Sequence, residues 1–140
     1  MELRLKNIEL GPAINFLQNL SLIGRDSRSR SKLVKLIAKA FEEYSADEKS
    51  LMKEYNLLDE NGYVLDEQKR NPRDAVMFKK EQEILSNDIV VIEGGMFADN
   101  LKEIPRILNE YESELSGQDA EIYDRLLDEF EENMQDEAEE

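Results

Sequence analysis

The stretch SRSRSKLVKLIAKAFEEYSADEKSLMKEYNLLD, residues 27–59, decides the fold of this chain. Its apolar residues recur three, four or seven positions apart, the spacing of one face of an amphipathic helix. They are Leu33, Ile37, Ala40, Tyr44, Leu51, Tyr55 and Leu58. No Gly or Pro interrupts the stretch, which predicts a helix from about Ser27 to Asp59, ~48 Å long. Because such a helix cannot cover its own apolar face, the other segments should pack along it.

The residues before this helix predict a short strand and a first, shorter helix. Leu3 and Leu5 alternate with charged residues, which is typical of a strand with one buried face. Pro12 is expected in the first turn of the following helix, which should end between residues 21 and 24. Asp26 or Ser27 is the expected N-cap of the long helix, because short polar side chains accept hydrogen bonds from its first N–H groups.

The residues after it predict a second strand and three more helices. Residues 89–92 form a run of four β-branched residues, the strongest strand signal in the chain. Pairing with the N-terminal strand should bring residue 5 beside residue 90. A weak hairpin arm is expected at residues 63–65, and helices at about residues 73–86, 97–114 and 117–133. Pro105 should set the first turn of its helix or kink it. The expected buried side of the first of these helices consists of Val76, Met77, Ile84 and Leu85.

The sequence therefore predicts an α+β fold, mostly α. A long central amphipathic helix is accompanied by four shorter helices and a small two-stranded sheet. Residues 1–133 should form one domain, and residues 134–140 an acidic tail.

The composition excludes several kinds of catalytic site. The chain has no His and no Cys, so zinc sites, Ser-His-Asp triads and Cys-His dyads cannot form within it. Gly94 and Gly95 lie between a strand and a helix but lack the spacing of a nucleotide-binding loop, so they predict a tight turn with a positive φ. The carboxylates do not follow the pattern of a calcium loop or a two-metal site. We expect no enzymatic activity, no cofactor and no metal.

The sequence also predicts a cytoplasmic protein without membrane contact. The longest apolar run, residues 89–92, is far too short to span a bilayer. Charged residues at positions 2, 4 and 6 argue against a signal peptide.

Charge is distributed unevenly along the chain. Residues 1–40 hold eight Lys or Arg against three Asp or Glu, a net of +5, whereas residues 41–140 carry a net of −20. Such asymmetry raises a binding hypothesis, although attraction between two parts of the folded chain is a simpler explanation.

The basic residues cluster at the start of the long helix. They are Arg25, Arg28, Arg30, Lys32 and Lys35. Because cations at a helix N-terminus oppose the helix dipole, an anion should lie opposite them. That anion could be the acidic C-terminal third of this chain, the acidic surface of a partner, or a nucleic-acid phosphate. The net charge of −15 and the lack of interleaved aromatic residues argue against direct nucleic-acid binding.

The acidic residues concentrate in the last helix and the tail. Residues 119–140 contain eleven Asp or Glu and a single base, Arg125. Acids spaced along a rigid helix can imitate the phosphates of DNA, or they can form a solvated face. The candidate partner-binding residues are Asp119, Glu121, Asp124, Asp128, Glu129, Glu131 and Glu132, together with Arg25, Arg28, Arg30 and Lys32.

The order of these features is similar to that of a known family. The segments concerned are a short basic strand, an Arg/Ser-rich entry into a long helix, an acidic turn, a Val/Ile strand and the start of the last helix, at residues 3–6, 29–36, 53–62, 91–95 and 115–123. They resemble small uncharacterised proteins of Gram-positive phages and prophages that contain a domain of unknown function. The resemblance implies a phage or prophage product acting inside a bacterium, and it supplies no catalytic or binding residue.

Two hypotheses of function follow. In the first, the chain is a non-enzymatic phage or prophage protein that binds a host protein, inhibiting a nucleic-acid-binding defence enzyme through an acidic, DNA-mimicking surface. In the second, it is an assembly chaperone or accessory factor that binds a virion protein along the long helix. That helix could also form a homodimer, although polar Asp47 and Glu48 interrupt its stripe.

Overall fold

The computed structural model describes residues 1–139 and confirms a mostly helical α+β fold. In chain order its elements are β1 (Glu2–Lys6), α1 (Asn7–Gln18), α2 (Gly24–Glu54), α3 (Pro72–Asn87), β2 (Ile89–Glu93), α4 (Ala98–Lys102), α5 (Ile104–Asn109) and α6 (Gly117–Glu139). Single 3₁₀ turns lie at Glu67–Lys69 and Gly95–Phe97. The predicted acidic tail, residues 134–140, extends past the described residues. The predicted boundary between the domain and this tail, at residue 133, stays a prediction.

The long helix α2 starts three residues earlier than predicted. Its N-cap residue is Ile23, so the expected N-cap at Asp26 or Ser27 is wrong. Asp26 lies instead in the first turn, where a negative charge is attracted by the positive end of the helix dipole. The 31 residues of α2 span ~47 Å.

The chain leaves α2 before Asp59, where the long helix was expected to end. Asn56 adopts a φ of 57°, the left-handed conformation that stops a helix. Asp59 then closes the following loop, because its Oδ1 accepts a hydrogen bond from the N–H of Tyr63 at 2.9 Å. The predicted hairpin arm is reduced to a single bridge between Leu58 and Val64.

The first helix, α1, also differs from the prediction. It begins at Asn7 because the Glu9 carboxylate accepts a hydrogen bond from the N–H of Lys6 at 2.8 Å. Pro12 therefore lies inside the helix and not in its first turn. The helix ends at Gln18, before the predicted end at residues 21–24.

The sheet confirms the predicted pairing. β1 and β2 are antiparallel, with Leu5 opposite Val90 and Leu3 opposite Ile92. The side chains of Leu3, Leu5 and Ile92 are buried and face the helices. The predicted turn after β2 is also present, and Gly95 supplies its positive φ, 52°.

The single helix predicted for residues 97–114 is two short helices, α4 and α5. Pro105 lies in the first turn of α5, one of the two roles expected for it. Leu101 of α4 and Leu108 of α5 are buried, so both helices contribute to the core. The largest fully buried side chains are Leu3, Leu5, Leu10, Phe16, Leu17, Leu33, Ile37, Leu101, Ile104, Leu108, Leu126 and Phe130.

The predicted buried side of α3 is wrong for three of its four residues. Val76 and Ile84 are each 60% exposed and Met77 is 40% exposed. α3 turns a different side to α2, where Tyr44 Oη and Ser86 Oγ are 3.1 Å apart. The last buried residue of α2 is Ile37, so no residue in the second half of this helix is fully buried. One face of α3 is left without a covering element in the described chain.

Among the described residues, no helix has both the length and the apolar character needed to cross a membrane.

Candidate functional site

One face of α6 carries a continuous row of exposed acids. Ile122, Leu126 and Phe130 are buried at intervals of four residues and dock the helix onto the core. On the opposite side are five exposed carboxylates, which we call the acidic stripe: Glu121, Asp124, Asp128, Glu131 and Glu132. They follow one another three, four, three and one positions apart, so they share one helix face. The stripe is ~16 Å long.

Asp119, a further candidate, does not belong to this stripe. It is exposed, but it precedes Glu121 by two residues and therefore lies ~160° around the helix axis from it. Asp119 and the acidic stripe are neighbours in the sequence, but they lie on different faces of α6.

Glu129 is not available to a partner, which corrects its assignment as a candidate. Its side chain is buried, and its Oε1 accepts a hydrogen bond from the N–H of Arg4 at 3.0 Å. Its Oε2 accepts a second hydrogen bond from Nη1 of Arg125 at 2.9 Å. Glu129 falls on the side of α6 that faces β1, so its charge is used within the fold.

Arg125 completes this connection between α6, β1 and α1. Its Nη2 donates to the carbonyl oxygen of Arg4 at 2.8 Å, and its Nε donates to Glu9 at 3.0 Å. Partial burial lowers the pKa of Arg125, but the carboxylates of Glu129 and Glu9 outweigh it, so the pKa is raised. Arg125 therefore stays charged and fixes the orientation of the acidic stripe.

Arg30, a candidate of the basic cluster, is also used internally. Its Nη1 donates to the carbonyl oxygens of Leu17 at 2.7 Å and Leu20 at 2.9 Å, and its Nη2 donates to Ser27 Oγ at 2.9 Å. Leu17 lies in the last turn of α1, where a helix leaves C=O groups without helical partners, and Leu20 follows just after the helix ends. Arg30 therefore stabilises the connection from α1 to α2, and its guanidinium is already hydrogen-bonded within the fold.

The rest of the basic cluster borders a groove between α2 and α4. The ammonium of Lys32 lies 4.9 Å from the ring centroid of Phe97, within the range of a cation–π interaction. Arg25 and Arg28 are exposed at the rim of the same groove, whose volume is about 520 Å³. Lys35 is exposed one turn further along α2. Of the predicted basic candidates, Arg25, Arg28 and Lys32 thus remain close together.

The sequence predicts the acidic C-terminal third of the chain as one possible partner of the basic cluster, and the ion pairs of the structure differ from that arrangement. Among the side chains of residues 1–134, none of the five cluster cations forms an ion pair with a carboxylate. In the ion pairs that join the two parts of the chain, the acid comes from residues 1–40 and the base from the C-terminal part. Asp26 of α2 binds Arg106 of α5 at 2.7 Å, and Glu9 binds Arg125 at 3.0 Å. The hydrogen bonds that Arg106 donates to the carboxylates of Asp26, Glu103 and Glu110 raise the pKa of Arg106, which stays charged.

This arrangement is suited to recognition by charge. No group of three or more acids in the described chain is arranged to hold a metal ion. The stripe instead presents five carboxylates on a helix whose other side is anchored by buried leucine and phenylalanine. The role of Arg125 was not predicted from the sequence. The signal that could have indicated it is that Arg125 is the single base in an otherwise acidic helix.

Comparison with known proteins gives one match. A protein-family model described as "Protein of unknown function (DUF1617)" matches residues 1–137. No curated protein and no solved structure matches the chain. The chain therefore belongs to the DUF1617 family of proteins of unknown function.

Proposed function

We propose that this chain is a non-enzymatic protein of a phage or prophage, acting in the host cytoplasm, that binds a basic host protein through the acidic stripe of α6. Its target is a nucleic-acid-binding defence enzyme, whose DNA-binding surface the stripe would occupy. The observation that carries the proposal is the exposed row of five acids on an anchored helix.

The spacing of the stripe supports a DNA-mimicking role. Five charges over ~16 Å correspond to one charge per ~4 Å of helix axis. A single DNA strand carries one charge per ~3.4 Å of its axis, so the linear charge densities are similar. A protein that binds DNA through Lys and Arg would be attracted to both surfaces.

The rigidity of the stripe supports the same role. Glu129 and Arg125 hold α6 to β1 and α1 through three hydrogen bonds with heavy-atom distances of 2.8 to 3.0 Å, and a fourth, of 2.9 Å, joins these two side chains to each other. A preorganised charged surface loses less conformational entropy on binding than a flexible acidic segment would.

The test is capture from infected cells with two charge variants matched to each other. In the first, the five stripe residues are changed to Gln or Asn. In the control, five exposed acids elsewhere are changed in the same way: Glu42, Asp47, Glu54, Glu60 and Glu67. Both variants lose the same amount of charge, so only the position differs.

We expect the wild type and the control variant to capture a nucleic-acid-binding host protein, in a complex that weakens as salt is raised. The stripe variant should lose it. Equal capture by both variants, or a complex indifferent to salt, would contradict the proposal.

The exposed face of α3 favours a second candidate function, an assembly chaperone or accessory factor that binds a virion protein. Val76, Met77 and Ile84 present apolar surface on one side of this helix. A virion protein would be captured by the stripe variant and lost from a Val76→Lys, Ile84→Lys variant, which is the reverse of the result expected for the first function.

A further inference from the structure

The two strands of the sheet differ in whether the backbone N–H and C=O groups on their outer edges are hydrogen-bonded. On β1, the N–H of Arg4 donates to Glu129 and its C=O accepts from Arg125. The N–H of Lys6 donates to Glu9. Side chains of α6 and α1 therefore occupy the outer edge of β1, so no further strand can pair there.

The hydrogen bonds at the two ends of the sheet show which residues of β2 face outward. The N–H of Gly94 donates to the carbonyl of Met1 at 3.3 Å, and the N–H of Asn7 donates to the carbonyl of Asp88 at 3.0 Å. Hydrogen-bonded and non-hydrogen-bonded pairs alternate along an antiparallel ladder. The pairs at positions 3–92 and 5–90 are therefore the hydrogen-bonded ones.

The N–H and C=O groups of Ile89, Val91 and Glu93 consequently point away from β1. Within the part of the chain that the structure describes, no group hydrogen-bonds to them. Their side chains are also accessible, Ile89 at 54% and Val91 at 46%. An open edge with apolar side chains is a template for another strand.

A groove between the open edge of β2 and helix α2 determines which side chains an added strand would contact. Its volume is about 250 Å³, and it is bounded by residues 90–93 and by one side of α2. On that side, Lys39 and Glu43 are exposed one helical turn apart, and the apolar Leu36 and Ala40 line the same groove. A strand added to β2 would therefore meet one positive and one negative charge of α2.

We propose that the open edge of β2 pairs with β2 of a second copy of this chain, giving a dimer with a continuous four-stranded sheet. Outward-facing groups must meet outward-facing groups, so odd-numbered residues pair with odd-numbered residues. The register with the most bonds places Val91 opposite the partner's Val91, and Ile89 opposite the partner's Glu93. It forms ~6 backbone hydrogen bonds, two for each of three pairs.

A second copy fits this edge because the surface is complementary to itself. The register is centred on a two-fold axis at Val91, and in a two-fold interface every contact occurs twice. The opposite charges of Lys39 and Glu43 on the same side of α2 allow Lys39 to face the partner's Glu43, and Glu43 to face the partner's Lys39. Since each copy carries a net charge of −15, the dimer should become stronger as salt is raised.

The first test is the mass in solution, measured by sedimentation equilibrium over a range of concentration and salt. The wild type should move from 16.3 kDa towards twice that mass, more readily at high salt. Val91→Lys places two like charges opposite each other at the axis and should weaken the dimer about tenfold or more. Val76→Lys is the matched control, the same change at an exposed valine of α3, and should leave the dimer intact.

Charge reversal tests the orientation. Lys39→Glu should weaken the dimer, and Lys39→Glu combined with Glu43→Lys should restore it. A single-chain mass at every concentration and salt would overturn the proposal, as would a dimer that survives Val91→Lys or is lost in Val76→Lys.

Hydrogen exchange provides a readout at the edge itself. In dilute protein the amides of residues 89, 91 and 93 should exchange quickly, while those of residues 90 and 92 are protected by pairing with β1. In concentrated protein the first three should become protected as well. Unchanged exchange at these residues in a sample with dimer mass would place the interface elsewhere and refute the pairing.

Discussion

Arg125 and Glu129 lie one turn apart on α6, with Arg125 Nη1 2.9 Å from Glu129 Oε2, and together they bind both backbone groups of Arg4. This relationship joins the last helix to the first strand across more than a hundred residues of chain. It also explains why two charged residues of an acidic helix are used for the fold, while their exposed neighbours are left to face solvent.

Glu129→Ala should lower the free energy of unfolding by about 1–3 kcal/mol, because it leaves the Arg4 N–H and Nη1 of Arg125 without their acceptor. Urea unfolding followed by circular dichroism measures the change. Asp128→Ala, at the exposed neighbouring position, should stay within about 0.5 kcal/mol of the wild type. Equal losses in the two variants would contradict the role of Glu129.

Arg30→Lys should also destabilise the fold, by about 1 kcal/mol or more. An ammonium lacks the planar fork with which the guanidinium reaches the carbonyls of Leu17 and Leu20 and the hydroxyl of Ser27. Thermal or urea unfolding tests this, with Arg28→Lys at an exposed position as the control. If the two variants unfold alike, Arg30 does not stabilise the end of α1.

Tyr55 should make the fold sensitive to alkaline pH. Its partly buried position, and the nearby carboxylates of Glu54, Glu81 and Asp74, raise the pKa of Tyr55 above its ordinary value of 10.0. The folded state therefore binds the proton more tightly than the unfolded state. This contribution to stability is present below pH 10.0 and is lost as the pH rises through the folded-state pKa.

Urea midpoints measured across this alkaline range would test the effect of Tyr55. Tyr55→Phe should remove this part of the decline in stability, whereas Tyr63→Phe, at a tyrosine that is 72% exposed, should not. The same pH dependence in all three proteins would show that Tyr55 is not its source.

Gly95→Ala should lower stability by about 1 kcal/mol through backbone strain. Gly95 has a φ of 52°, and a Cβ there would meet no atom within 4 Å, so the penalty comes from the left-handed conformation alone. Gly24→Ala is the control, because the first turn of α2 has a negative φ and equal space. Calorimetry should show a lower midpoint only for Gly95→Ala.

Much of the fold follows from local periodicity in the sequence. The apolar spacing of residues 33–58 predicts the long helix, and alternation at residues 3–5 with a β-branched run at 89–92 predicts the sheet and its pairing at Leu5 and Val90. These predictions succeed because side-chain direction repeats every 3.6 residues in a helix and every two in a strand. The order of the acidic stripe along α6 follows from the same rule.

The candidate site was predicted less completely, because composition does not show which charges the fold itself uses. Glu129 and Glu131 are both acids of one helix, yet Glu129 meets the backbone of Arg4 and Glu131 faces solvent. Arg28 and Arg30 are similarly alike in sequence, and Arg30 alone reaches the carbonyls at the end of α1. These differences depend on contacts between segments that are distant in the chain.

α3 shows the same limit for apolar residues. Val76, Met77 and Ile84 were expected to be buried, but α2 covers the side of α3 that carries Ser86. Periodicity identifies a helix and groups its apolar residues, and the way the helix packs on its neighbour decides which of them are covered.

The sequence by itself therefore determined the fold class, the long helix, the pairing of the two strands, the lack of His and Cys chemistry, and the acidity of α6. Only the tertiary structure decided that the side chains of Glu129 and Arg30 are bound within the fold, that the five acids of the stripe stay exposed, and that β2 has an open edge. The physical reason is that local propensity acts between near neighbours in the chain. The satisfaction of a buried charge or a strand edge depends instead on which distant residue the packed core brings within hydrogen-bonding distance.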